Sequence, residues 1–161
     1  MYAWGLYCLG SLSDSMDKLE QAIDMHKQAV QLCLTASPHS KMHAKIQYSL
    51  GLLYFNTSRN EEAVEQLLLA LQLYSTYFPK DEHYAWCCYY LGVHYDSMRK
   101  PQQAMEMYKQ AIQLCSTDFP HTEVHAESLF DLGMKYSNMD MHKEAVEKLS
   151  ISHAALRCLL P

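Results

Sequence analysis

Gly10, Gly51, Gly92 and Gly133 stand 41 residues apart, each with the same neighbours at the same offsets. Leucine precedes each glycine (Leu9, Leu50, Leu91, Leu132), alanine follows it by twelve residues (Ala22, Ala63, Ala104, Ala145) and proline by twenty-eight (Pro38, Pro79, Pro120, Pro161). A single globular core imposes no such period, so the chain reads as a tandem array whose units bury their apolar faces against one another. We expect one array over 1–161, with units at about 1–38, 39–79, 80–120 and 121–161.

Apolar residues within a unit recur at helical spacing, first Ala44, Tyr48, Leu52 and Phe55, then Ala63, Leu67, Ala70, Leu71 and Tyr74, which predicts two amphipathic helices. Turn signals fall between them at Thr57-Ser58-Arg59-Asn60, Ser97 to Pro101 and Asn138-Met139-Asp140. Pro101 suits a first helical turn, where its missing N–H would have no partner. The glycines on the first helix and the alanines on the second leave room for close helix contact. Tyr54, Tyr95 and Tyr136, three residues after their glycines, supply bulk beside them. The fold class expected is all-α, a right-handed α-solenoid of about four helix-turn-helix units.

Charge and chemistry remove several functional classes. With 13 basic and 18 acidic residues the chain has a net charge of −5, which is a poor footprint for nucleic acid. No apolar run approaches the roughly 20 residues of a membrane span, and Met1 to Leu12 reads as a repeat helix rather than a signal segment. Cys33 and Cys115 share a repeat position with Tyr74, so that position is an apolar packing site; the six cysteines are expected as free thiols in a reducing, cytoplasmic compartment. His39 with His43, and His121 with His125, have i, i+4 spacing. Zinc needs three or four ligands, and Lys80 and Tyr84 stand at the matching positions of the third unit, so no metal or cofactor is expected. Adjacent Cys87 and Cys88 cannot form a Cys-x-x-Cys pair, and Cys88 with His125 has nothing further to suggest catalysis. Glu61, Glu62 and Glu65 open a second helix, where they suit the positive end of its dipole.

The Leu-Gly-x-x-Tyr motif, with alanine twelve and nineteen after the glycine, resembles the tetratricopeptide repeat (TPR) signature over essentially the whole chain. The units of Gly51 and Gly92 carry it in full; that of Gly133 has Ser152 for the last alanine, and that of Gly10 has Ser13 for tyrosine. The 41-residue period exceeds the common one of about 34 and is similar to the longer repeats of kinesin light chain and nephrocystin-like proteins. Chaperone-binding members carry Lys three before the glycine and Asn one after it. Tyr7, Tyr48, Tyr89, Phe130 and Ser11, Leu52, Val93, Met134 stand there instead, which disfavours a carboxylate clamp.

The resemblance implies a concave wall of first-helix residues. Trp4, Tyr7 and Ser11 would come from the first unit, and Lys45, Tyr48, Leu52, Phe55 and Asn56 from the second. The third would add Trp86, Tyr89, Val93, Asp96 and Ser97, and the fourth Glu127, Phe130, Met134 and Asn138. Aromatic area interleaved with small polar groups has the composition of a binding surface, although recurring Tyr7, Tyr48, Tyr89 and Phe130 equally suit packing between helices. The expected function is a non-catalytic scaffold or adaptor for a protein or peptide partner. The alternatives are a structural segment of a larger TPR protein, self-associating through uncapped terminal helices, and a peptide-sensing regulatory module.

Overall fold

The computed structural model describes residues 2–16, 18–120 and 122–159; Pro161, His121 and the end of the C-terminal apolar run lie outside them. The regular elements of the described residues are all α-helices: α1 (Tyr2–Ser15), α2 (Leu19–Ala36), α3 (Lys41–Asn56), α4 (Asn60–Tyr77), α5 (Glu82–Ser97), α6 (Pro101–Asp118), α7 (Glu123–Asn138) and α8 (His142–Leu159). They fall into two compact units, Met1–Pro79 and Lys80–Pro161, each with two repeats. In the first unit α1 packs on α2, α3 on α4, and α3 also on α2 and α1. In the second, α5 packs on α6, α7 on α8, and α7 also on α6 and α5.

The glycines permit this because the residue sixteen positions later lies directly against each: His26, Leu67, Tyr108 and Leu149. A Cβ at Gly51 would stand 2.7 Å from Leu67 Cγ, and one at Gly133 would stand 2.9 Å from Leu149 Cγ. The alanines of the facing helices, Ala63 and Ala70 in α4 and Ala104 and Ala111 in α6, are fully buried. Ser152 fills the alanine position in α8 and is buried too; its Oγ donates to the Ala126 carbonyl of α7 at 2.8 Å. His26 is the polar member of the series facing the glycines. Its Nδ1–H donates to the Ala22 carbonyl at 2.9 Å, and burial holds its pKa below the ordinary imidazole value despite that bond.

The first helices α3, α5 and α7 close with the same cap. The amides of Arg59, Lys100 and Met141 donate to the carbonyls of Tyr54, Tyr95 and Tyr136, while those of Ser58, Arg99 and Asp140 donate to Phe55, Asp96 and Ser137. This is the Schellman arrangement, which turns the chain by placing one residue in the left-handed region. Ser58 (φ 60°), Arg99 (φ 57°) and Asp140 (φ 58°) hold that position at the 41-residue spacing, and none is glycine. The repeated tyrosines therefore contribute through their backbone as well as their rings. Replacing exposed Arg99 with glycine is expected to raise unfolding free energy by about 1 kcal/mol, by removing the Cβ strain of the left-handed conformation; urea denaturation followed by circular dichroism measures it.

The expected leucine series divides. Leu50, Leu91 and Leu132 are buried, whereas Leu9 is 51% exposed because no described helix covers that side of α1. Cys33, Tyr74 and Cys115 are buried, as an apolar packing position requires. Glu61 and Glu65 face solvent at the start of α4, and Glu62 bridges the Arg59 guanidinium at 2.8 Å.

Candidate functional site

In the first unit the candidate residues lie on the adjacent helices α1 and α3. Trp4 is 51% exposed, with its ring 5.6 Å from that of Tyr7. Tyr7 is half-buried, edge-on to the His26 ring at 5.4 Å and packed on the core beneath. Lys45 folds back on its neighbour: its ammonium lies 5.5 Å from the Tyr7 ring centroid, a cation–π distance. Tyr48, Leu52 and Phe55 are half-buried and Asn56 exposed. Ser11, Leu52 and Asn56 come together with Asp14, His26 and Ser49 around a cavity of about 160 Å³.

In the second unit the aromatic residues are organised by stacking. The Trp86 ring stacks on Tyr90 (5.6 Å, 25°) and meets Tyr89 edge-on at 5.8 Å. Tyr89 also approaches the Tyr108 ring at 5.9 Å, so much of this series is anchored to the core. Val93 packs inward on the cluster of Tyr108 and Leu132. Ser97 Oγ donates to the His94 carbonyl at 2.7 Å, and Asp96 accepts from Lys135 Nζ at 2.5 and 2.6 Å; both serve contacts within the unit. On α7, Glu127 is half-buried, while Phe130 (49%), Met134 (41%) and Asn138 are exposed.

One arrangement collects these residues into a receptive shape. A cavity of about 440 Å³ is lined by Tyr89 of α5, Ala126, Glu127, Phe130 and Asp131 of α7, and Leu156 of α8. The Tyr89 hydroxyl faces the Glu127 and Asp131 carboxylates, which are one helical turn apart, and its single proton can be donated to one of them at a time. Loss of hydration, with smaller repulsion from neighbouring carboxylates, raises both carboxyl pKa values, while the Tyr89 bond lowers them. Burial, with the two carboxylates, pushes Tyr89 well above its ordinary range. Two desolvated acids beside an apolar wall create a negative potential that an incoming cation would relieve.

The set expected from the sequence lacks Asp131, Lys135 and Leu156. The position two before each glycine holds Cys8, Ser49, Tyr90 and Asp131, and that irregularity is the signal the sequence offers. The thiols are poorly suited to nucleophilic chemistry: burial pushes Cys88 up to about 12 and Cys115 to about 11, so neither forms the thiolate readily.

Paired helices with glycine against a bulky partner, repeated at one spacing, have a counterpart among known families. Residues 42–117 match the tetratricopeptide repeat family. Residues 42–117 carry tetratricopeptide repeats. No curated protein matches the sequence. Among solved structures, the TPR chain is similar to MamA (24% identity, TM-score 0.76, covering 96% of this chain and 78% of that one). It is also similar to BtubC (BKLC) from P. vanneervenii at 16% identity and TM-score 0.87; 98% of this chain aligns, spanning 64% of BtubC. A Podosopora anserina putative kinesin light chain with nearly identical TPR-like repeats aligns at 18% identity and TM-score 0.78, over 98% of this chain and 76% of that one. These likenesses show the fold, the all-α solenoid class. TPR arrays are in general non-catalytic scaffolds for protein–protein interaction, and that coarse class is the one the repeats assign. No helix of the described residues is long and apolar enough to cross a membrane.

Proposed function

We propose that the chain is an adaptor that binds a polypeptide segment on the faces of its first helices, and that the second unit receives a basic side chain of that segment. The observation that carries this reading is the cavity where Glu127 and Asp131 flank the Tyr89 hydroxyl. An arginine suits it: the guanidinium presents forked donors to carboxylates, and its stem would lie along Phe130 and Leu156. Trp86 and Asn138 would contact the remainder of the segment, with the amide pairing its backbone. The six cysteines stand as free thiols, Cys33, Cys87, Cys88 and Cys115 buried and Cys8 and Cys158 exposed, which favours a reducing, cytoplasmic setting.

Selection from a random-peptide display library tests the proposal. Selected sequences should be enriched in arginine or lysine, and Glu127→Gln with Asp131→Asn should weaken their binding by about tenfold or more, the loss of a desolvated charge pair. Binders without basic enrichment, insensitive to both substitutions, would refute it. A second reading is self-association, favoured by the exposed apolar side chains of α1 (Tyr2, Trp4, Leu9, Leu12) and α8 (Val146, Ile151, Leu156). Light scattering that returns the monomer mass at every concentration would remove it.

A further inference from the structure

The first unit holds another cavity, of about 380 Å³, which shares no residue with the candidate faces. Its walls come from Leu34 of α2, Pro38 of the connection, His43 and Gln47 of α3, and Leu73 and Tyr77 of α4. Among the described residues no Asp, Glu, Lys or Arg lines it.

A chain of hydrogen bonds fixes the polarity of one wall. His43 Nδ1 lies 2.6 Å from the Pro38 carbonyl; a carbonyl only accepts, so the ring proton sits on Nδ1 and Nε2 offers a lone pair. The Gln47 amide Nε2–H donates to that lone pair at 3.3 Å, which orients the amide. Gln47 Oε1 is then left buried and without a hydrogen-bond partner among the described residues, on a side chain that is only 4% exposed. A buried acceptor deprived of a donor is unfavourable and unusual in a folded chain.

The repeat makes this glutamine conspicuous. Its register holds Leu6, Gln47, Cys88 and Leu129, apolar in every other repeat. The register of His43 holds Tyr2, His43, Tyr84 and His125; in the next repeat the Tyr84 hydroxyl accepts from Gln110 Nε2 at 3.3 Å. A polar side chain placed against the local pattern on a residue that lines the cavity, with a buried and unfilled acceptor just behind the wall, points to a ligand donor rather than to packing.

We propose that this cavity binds a small neutral aromatic molecule with a single O–H or N–H donor, phenol being the simplest probe. The ring packs among Leu34, Leu73 and Tyr77, and the donor bonds to Gln47 Oε1 after a small rotation of the amide. Charged ligands are disfavoured because no carboxylate, ammonium or guanidinium in the wall compensates their desolvation.

The test is an NMR titration of the isotopically labelled chain with phenol and, in parallel, with toluene, which has the ring without the donor. Phenol should saturably shift the Gln47 side-chain amide and the backbone amides of α3 and α4, and toluene should bind about tenfold more weakly, the expected loss for one buried hydrogen bond. Gln47→Met should abolish the preference while leaving toluene binding unchanged. Equal binding of the two probes, the absence of a saturable shift at Gln47, or a preference that survives in Gln47→Met would overturn the proposal. If circular dichroism shows that the variant does not fold, the comparison of phenol with toluene on the unsubstituted chain decides alone.

Discussion

Gly92→Ala lowers the unfolding free energy of the second unit, while Gly5→Ala, the same change in α1, raises that of the first. A Cβ at Gly92 would stand 2.6, 2.7 and 3.0 Å from three atoms of the Tyr108 ring. That ring is 2% exposed and wedged among Ala104, Met105 and Leu132, so it has nowhere to move. Relief requires α5 to withdraw from α6, which loosens the contact along both helices. Overpacking of this kind costs about 1–3 kcal/mol, and the better helix propensity of alanine returns up to about 1 kcal/mol. A net loss of about 1–2 kcal/mol follows, and a larger residue such as leucine loses more. At Gly5 nothing lies within 4 Å of the added methyl, so only the propensity gain of about 0.5–1 kcal/mol remains. Urea titrations followed by circular dichroism separate the two signs. Because a repeat array need not unfold in one step, the midpoints should be followed with a probe in each unit.

Acid destabilises the second unit well above the carboxylate range, because of His94. This imidazole is fully buried, and loss of hydration lowers its pKa from 6.5 to about 4. Above 6.5 the ring is neutral in both folded and unfolded chains, and its contribution to stability is complete. As pH falls below 6.5 the unfolded chain takes up the proton first, so stability declines until the folded pKa of about 4 is reached. The slope approaches about 1.4 kcal/mol per pH unit and the whole window is worth on the order of 3 kcal/mol. Glu127 and Asp131 act in the opposite sense: their raised pKa values mean that the folded chain binds protons more tightly there, which offsets part of the loss at the acid end. His94→Leu places the residue that the first unit carries at the same register, Leu53, and should flatten the profile while matching or exceeding the original stability at neutral pH. Denaturation midpoints that do not move between neutral and mildly acidic pH would contradict this account of His94.

The repeat was readable because its determinants are steric and local in register. Each glycine needs to lack a Cβ for one reason, the bulky residue sixteen positions on, and both recur with the period. The turn after each first helix was legible in place but not in kind, since Ser58, Arg99 and Asp140 take up the left-handed conformation without the glycine that usually announces it. Surface roles were harder. Lys45, read as a groove residue, lies over Tyr7, and Asp96 is held by Lys135; both pairings depend on neighbouring repeats, 38 and 39 residues away. The acidic cavity is built the same way, from Tyr89 on α5 and two carboxylates of α7, and only the packing of those helices brings them together. Gln47 was visible as an irregularity in an apolar register, but its unfilled acceptor follows from the His43 tautomer, which no sequence states.

The claim that the first-helix faces receive a polypeptide is tested most directly by mapping where one binds. An arginine-bearing peptide taken from the display selection, titrated into the labelled chain, should shift amides of α5 and α7 around Trp86, Glu127, Phe130 and Asp131, together with that of Leu156 in α8, and leave the exposed face of α6 largely unmoved. Shifts confined to the second helices, with Trp86 and Phe130 unaffected, would contradict it.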